Sequence, residues 1–276
     1  MEIPRMRLSL AARAGLALGA VGAALALAFA PALGLAKSTS VENERKPIVD
    51  PRADSLLREM SRYLSGAEQF TVRAQILFDD VLPTGQKVQY AAAEDLAVRR
   101  PNRVYAEYEG DVGSKQFWYD GKAVTMYDAG SDVWATTAVP ARIDEALDDL
   151  MRRHGFSPPL SDLLYSDPYA ILKPHAQFGL YMGTTMIDGT RCHHLAFVDK
   201  EIDWQIWVED GTQVVPCKML ITYKSLPGSP QFAAVFSDWE FGARLIDSQF
   251  EPKVPPGATK IDFLSTEGPS GGLTKK

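Results

Sequence analysis

From Gln69 to Thr137 apolar side chains recur at alternate positions, the period of a strand with one buried face. Val72, Ala74, Ile76 and Phe78 form one phase before Pro83-Thr84-Gly85 turns the chain. Val88, Tyr90, Ala92, Leu96 and Val98 form the next, ending at Arg99-Arg100-Pro101-Asn102. Val104, Ala106 and Tyr108 run to Gly110-Asp111, and Phe117 and Tyr119 run to Asp120-Gly121, a hairpin signal because both residue types tolerate positive φ. Val124 and Met126, then Val133 to Thr137, complete this first series. A second series follows, at Gln177–Thr185, Arg191–Val198, Asp203–Glu209, Val214–Lys224 and Gln231–Phe241, with turns at Asp188-Gly189, Asp210-Gly211 and Pro227-Gly228.

Helical spacing occurs in three places. Asp50 and Pro51 supply an N-cap and a first helical residue, Leu56, Leu57, Met60, Tyr63 and Leu64 make an apolar stripe, and Gly66 ends it. Ile143, Ala146, Leu147, Leu150 and Met151 form a second helix closed by Gly155. Asp167-Pro168 starts a short third one that Pro174 ends, so residues 140–174 read as a helical, loop-rich lid or junction. The predicted fold is therefore mainly β (α+β): a single large curved antiparallel sheet, a half-barrel of about ten or eleven strands, lidded by a few helices. The predicted organisation is a signal peptide at 1–36, a linker at 37–49, one domain at 50–264 and a disordered tail at 265–276.

The amino terminus changes the picture most. Arg5, Arg7 and Arg13 precede an apolar run from Ala14 to Ala30, and Gly34 and Ala36 are small enough for a signal-peptidase site after Ala36. The expected compartment is the periplasm; retention as an inner-membrane anchor through residues 14–35 is the alternative. Net charge is -6, of which Arg5, Arg7, Arg13 and Glu2 contribute +2, leaving -8 on the remainder. An acidic body gains no counterion-release energy from a phosphate backbone, so nucleic acid is excluded as a partner.

Motifs for catalysis are absent: no Gly-x-Ser-x-Gly, no His-Glu-x-x-His, no phosphate-binding loop and no dinucleotide fingerprint. His193 and His194 are adjacent on a strand and point to opposite faces, so they cannot share one ion. No catalytic residue, metal or cofactor is expected. Glu94 interrupts an apolar phase, which a bulge or a pairing with Arg99 or Arg103 would explain. Cys192 opposes the phase of Leu195 and Phe197, whereas Cys217 shares that of Met219 and Ile221. A whole strand also lies between them, a separation of roughly 9–10 Å, so no disulfide is expected.

The residues also carry a resemblance. Cys192-His193-His194-Leu195-Ala196-Phe197, Asp203-Trp204-Gln205-Ile206-Trp207-Val208-Glu209, Lys218 to Lys224, Ser237-Asp238-Trp239, Phe250-Glu251-Pro252 and Pro255-Pro256-Gly257-Ala258 resemble a group of predicted periplasmic proteins with the LolA/LolB-like fold. The resemblance covers about Pro51 to Phe263 and implies a half-barrel lidded by helices, in the periplasm. Lipoprotein carriers of that fold hold acyl chains under the lid, and a relative with a second domain senses envelope stress; no catalytic set carries over. The expected function is to bind a lipid or lipoprotein acyl chain between the concave face and the helices. Phe78, Tyr90, Phe117, Tyr119, Met126, Trp204, Ile206, Met219 and Ile221 are the inward candidates, and Phe156 and Leu160 the lid candidates. The alternative is a sensor or interaction module docking an envelope protein, which an exposed Trp207 would fit; a hydrolase is the least supported reading. The chain is expected to be a monomer.

Overall fold

The computed structural model describes residues 48–263. The segments expected to be a signal peptide (1–36) and a disordered tail (265–276), and most of the expected linker (37–49), lie outside the described residues.

One sheet organises the chain, in the order β1-β8-β9-β10-β11-β12-β2-β3-β4-β5-β6-β7-β13. The first meander comprises β2 (Gln69–Val81), β3 (Lys87–Arg99), β4 (Arg103–Gly110), β5 (Gly113–Tyr119), β6 (Ala123–Asp128) and β7 (Val133–Ala138). The second comprises β8 (Phe178–Ile187), β9 (Thr190–Val198), β10 (Asp203–Glu209), β11 (Pro216–Thr222) and β12 (Gln231–Glu240). These eleven strands are antiparallel, as the alternation predicts, and β12 pairs β2 from Phe232↔Phe78 to Glu240↔Thr71. Two-residue parallel strands, β1 (Ile48–Val49) and β13 (Thr259–Lys260), extend the two ends. The expected linker therefore ends earlier than residue 49. Ile48 and Val49 pair with Phe178 and Gly179, because an open strand edge offers their backbone partners.

This order dictates where the helices lie. β7 and β8 are near opposite ends of the sheet, so the chain between them must traverse it. The traverse holds α2 (Ile143–His154), a 3-10 turn (Ser161–Leu163) and α3 (Pro168–Leu172). Burying both the helical stripes and one face of the sheet places this segment on the concave side. Preceding it, α1 (Pro51–Gly66) is capped by the Asp50 carboxylate, which accepts from the Arg52 amide at 2.7 Å. Ala53, Leu57, Met60 and Leu64 of α1 are fully buried against the concave side. Tyr169 fastens α3 to α1: its hydroxyl donates to Asp54 at 2.7 Å, and its amide donates to Ser61 at 2.8 Å.

The convex face corrects two expectations. Cys192 and Cys217 form a disulfide (S–S 2.07 Å, Cα–Cα 6.7 Å). The reason is a register shift between Trp207 and Val208: Trp207 faces Lys218 but Val208 faces Pro216, which leaves Cys217 as the extra residue of a bulge. Strict alternation would turn Cys217 inward; the bulge turns it to the convex side instead, beside Cys192. Trp207 is also not exposed. It packs with both cysteines and is 8% accessible, under a His194 ring stacked at 4.1 Å and the Lys218 ammonium at 5.1 Å.

Candidate functional site

The concave face is filled unevenly. Under α1 and α3 the second meander packs solidly: Trp204, Ile206, Met219 and Ile221 are buried in the continuous core, with the Trp204 ring stacked on Phe197 at 4.1 Å. Under α2 the fit is also close, with about 10 Å³ left between Val104, Phe117, Tyr119, Val124 and the helix residues Ile143, Ala146, Leu147 and Leu150. Tyr119 is held there by donating its hydroxyl to the Pro140 carbonyl at 2.7 Å.

Beyond the end of α2 the packing stops. Gly155 adopts φ 61°, the left-handed conformation that ends a helix without a Cβ penalty, and accordingly its amide reaches the Met151 carbonyl. Pro158 and Pro159 then keep Ser157 and Pro158 out of the helical region. The stretch Phe156–Pro159 consequently cannot continue α2 and instead bridges over the first meander. Between it and β2–β6 lies a cavity of about 290 Å³. Ile76, Phe78, Tyr90, Ala106, Phe117 and Met126 line the sheet side, Phe232 of β12 adds to it, and Phe156, Pro158 and Pro159 line the lid side.

Strand register sets the chemistry of the wall. One row across the face is apolar: Leu96, Ala106, Phe117 and Met126 are successive cross-strand partners. The adjacent row is polar: Glu94, Tyr108, Lys115 and Asp128 are likewise partners, running from buried to half-exposed. Lys115 lies 3.6 Å from Asp128. Glu94 is 2% exposed, and its Oε2 has no hydrogen-bond partner. Burial pushes its carboxyl up to about 8. Burial, and then the Glu94 and Asp111 charges, push the Tyr108 hydroxyl up to about 12.

Neither sequence explanation of Glu94 holds. The pairing of β2 with β3 is unbroken from Gln69↔Arg99 to Val81↔Lys87, so there is no bulge. Arg99 donates to the Leu245 carbonyl at 2.8 Å and pairs with Asp247, and Arg103 donates to the Asn102 carbonyl at 3.0 Å. Both arginines are on odd positions of their strands, on the face opposite Glu94.

Of the eleven expected ligand contacts, Phe78, Tyr90, Phe117, Met126 and Phe156 line the cavity. Tyr119, Leu160, Trp204, Ile206, Met219 and Ile221 are buried core residues outside its lining. Alternation identifies the inward face but not which part of it the helices fill. Ile76, Ala106, Tyr108 and Lys115 share the inward phase and line the cavity without having been singled out. Strand register beside the prolines after Gly155 was the signal for them. Among the described residues no group of three or more His, Cys, Asp or Glu could hold a metal ion, and no helix is long and apolar enough to cross a membrane.

Several solved structures are similar at low identity. Lipoprotein LppX from Mycobacterium tuberculosis is 13% identical, covering 69% of this chain and 96% of that one, with a TM-score of 0.42. LprF from Mycobacterium bovis is 12% identical over 76% of this chain and 99% of that one, also at 0.42. A LolA superfamily protein from Nitrosomonas europaea is 12% identical over 72% and 97%, at 0.33. No curated protein matches the chain. The family described as "Predicted periplasmic protein (DUF2092)" matches residues 53–264, and the chain belongs to that family of predicted periplasmic proteins.

Proposed function

We propose that this protein is a periplasmic binding protein that holds an apolar chain, a lipid or a lipoprotein acyl group, in the cavity between β2–β6 and Phe156–Pro159. The observation that carries the proposal is the unfilled, mostly apolar volume of about 290 Å³ on an otherwise packed concave face. A dry apolar cavity of roughly 150 Å³ is already enough to take up benzene. Each methylene transferred from water gains about 0.8 kcal/mol, so some ten methylenes gain on the order of 8 kcal/mol before association costs. No polar motif is required for useful affinity.

The test is lipid extraction of protein purified from its own envelope, followed by mass spectrometry, with binding of the apolar dye 1-N-phenylnaphthylamine by the delipidated protein. Phe78→Asp and Met126→Asp place a charge in the cavity wall and should lower dye affinity at least tenfold. A Trp207→Phe variant, altered on the other face, should bind as the parent does. Folded Asp variants with unchanged binding would remove the cavity from consideration. A second reading, docking of an envelope protein, is favoured by one observation: β1 covers only two residues of edge strand β8, where Leu180, Met182 and Met186 are 43%, 56% and 60% exposed. Extracts free of lipid and a protein that binds no dye would favour that reading.

A further inference from the structure

The cavity is not uniformly apolar: of the two buried carboxyl groups on its wall, Asp79 accepts from the Gln231 amide at 3.0 Å, whereas Glu94 has an oxygen with no protein partner. Glu94 lies on the cavity wall with Oε2 unbonded, and its cross-strand neighbour Tyr108 lines the same cavity. Directly opposed residues of this kind have Cβ atoms about 4.5–5.5 Å apart, close enough for both side chains to reach one ligand atom. We propose that Glu94 and Tyr108 form a hydrogen-bonding subsite that selects apolar chains bearing a hydroxyl group; this rests on the apolar-ligand reading above and names the chemistry of that ligand.

The surroundings favour a neutral group over a charged one. An anionic headgroup would meet Asp79 and Asp80, which also line the cavity, and the lining cation Lys115 already has Asp128 at 3.6 Å. An ammonium group would have to be desolvated and Glu94 ionised in the same buried site, a cost that mutual attraction often fails to recover. A hydroxyl carries no charge and has both a donor and an acceptor. It can donate to the Glu94 carboxyl while accepting from the Tyr108 hydroxyl. Burial keeps the Glu94 carboxyl protonated at neutral pH, so it also has a proton to donate.

The experiment is competition against bound 1-N-phenylnaphthylamine at pH 6.5, using 1-dodecanol, 1-chlorododecane, dodecanoate and dodecylammonium on the delipidated mature protein. The parent should bind 1-dodecanol about tenfold more tightly than 1-chlorododecane, the size of one recovered buried hydrogen bond. Glu94→Leu should bring the two within about twofold of each other by weakening only the alcohol. Glu94→Gln, which keeps a donor and an acceptor, should preserve most of the preference. Tyr108→Phe removes a single hydroxyl and should reduce the preference severalfold, so the proposal stays testable if Glu94→Leu does not fold. An undiminished alcohol preference in the folded Leu and Phe variants overturns the subsite. So does tighter binding of dodecanoate or dodecylammonium than of the alcohol by the parent. Failure of every probe, dye included, would defeat the apolar-ligand reading itself, whereas equal binding of alcohol and chloride defeats only the subsite.

Discussion

Glu94 faces Ala74 on β2 and Tyr108 on β4, with Lys115 and Asp128 further along the same row. No basic side chain compensates its charge, so folding raises its affinity for a proton to about 8 from the ordinary carboxylate range. Below about pH 4.5 folded and unfolded chains both carry this proton, and the group imposes no penalty. As pH rises from there to about 8, the unfolded chain releases the proton while the folded chain retains it. Stability therefore falls across that window and levels off above it. The shift corresponds to roughly 5 kcal/mol at its outer limit. Glu94→Gln should lack this slope, so urea unfolding at pH 5 and pH 8 should show the parent losing several kcal/mol relative to the variant. Parallel losses in the two proteins would show that Glu94 keeps its charge in the fold. The pattern of the strand marks Glu94 as anomalous. The same alternation turns Arg99 and Arg103 to the opposite face, so the missing cation was legible; the cavity beside Glu94 was not, because it depends on where the helices stop covering the sheet.

At the scale of elements, the strands and the capped helices follow from local physics. Asp50-Pro51 starts α1, Gly155 ends α2, and β10 spans Asp203–Glu209 as its alternation predicts. Irregularities are what alternation cannot show. The bulge in β11 has no marker in the sequence beyond Pro216, yet it reverses the facing of Cys217 and brings it to Cys192. The bridge closes a segment with a sequence separation of 25, for which loop entropy predicts about 3.5 kcal/mol of stabilisation. Cys192→Ser with Cys217→Ser should lower the unfolding free energy by about that amount. Dithiothreitol should reproduce the loss in the parent and leave the double variant unaffected. Thiol titration of the denatured, unreduced protein should find no free cysteine. Two titratable thiols would restore the unbridged arrangement that simple strand counting favours.

The whole molecule is one sheet whose two halves are separated in sequence by the helical traverse but joined in space through β12 and β2. The order of strands could not be read from the meanders themselves, since either end of each could have met the other. The meeting edge is set by the long ladder from Phe232↔Phe78 to Glu240↔Thr71, flanked by Phe70, Phe236 and Trp239, whose rings pack together. A single buried cluster then extends from Val104 and Phe117 in the first half to Trp204 and Met219 in the second. Neither half can open without exposing apolar surface of the other, so residues 50–263 should unfold as one cooperative unit. The five tryptophans allow a direct measurement, because Trp118 and Trp134 report on the first half and Trp204, Trp207 and Trp239 on the second. A variant retaining only Trp118 and another retaining only Trp204, the rest replaced by Phe, should each give a urea transition by fluorescence that coincides with its own far-ultraviolet circular dichroism. Two separated transitions within either protein would divide the sheet into independent domains at the β12–β2 seam. The cavity, built mainly from the first meander, would then need Phe232 alone to tie it to the second.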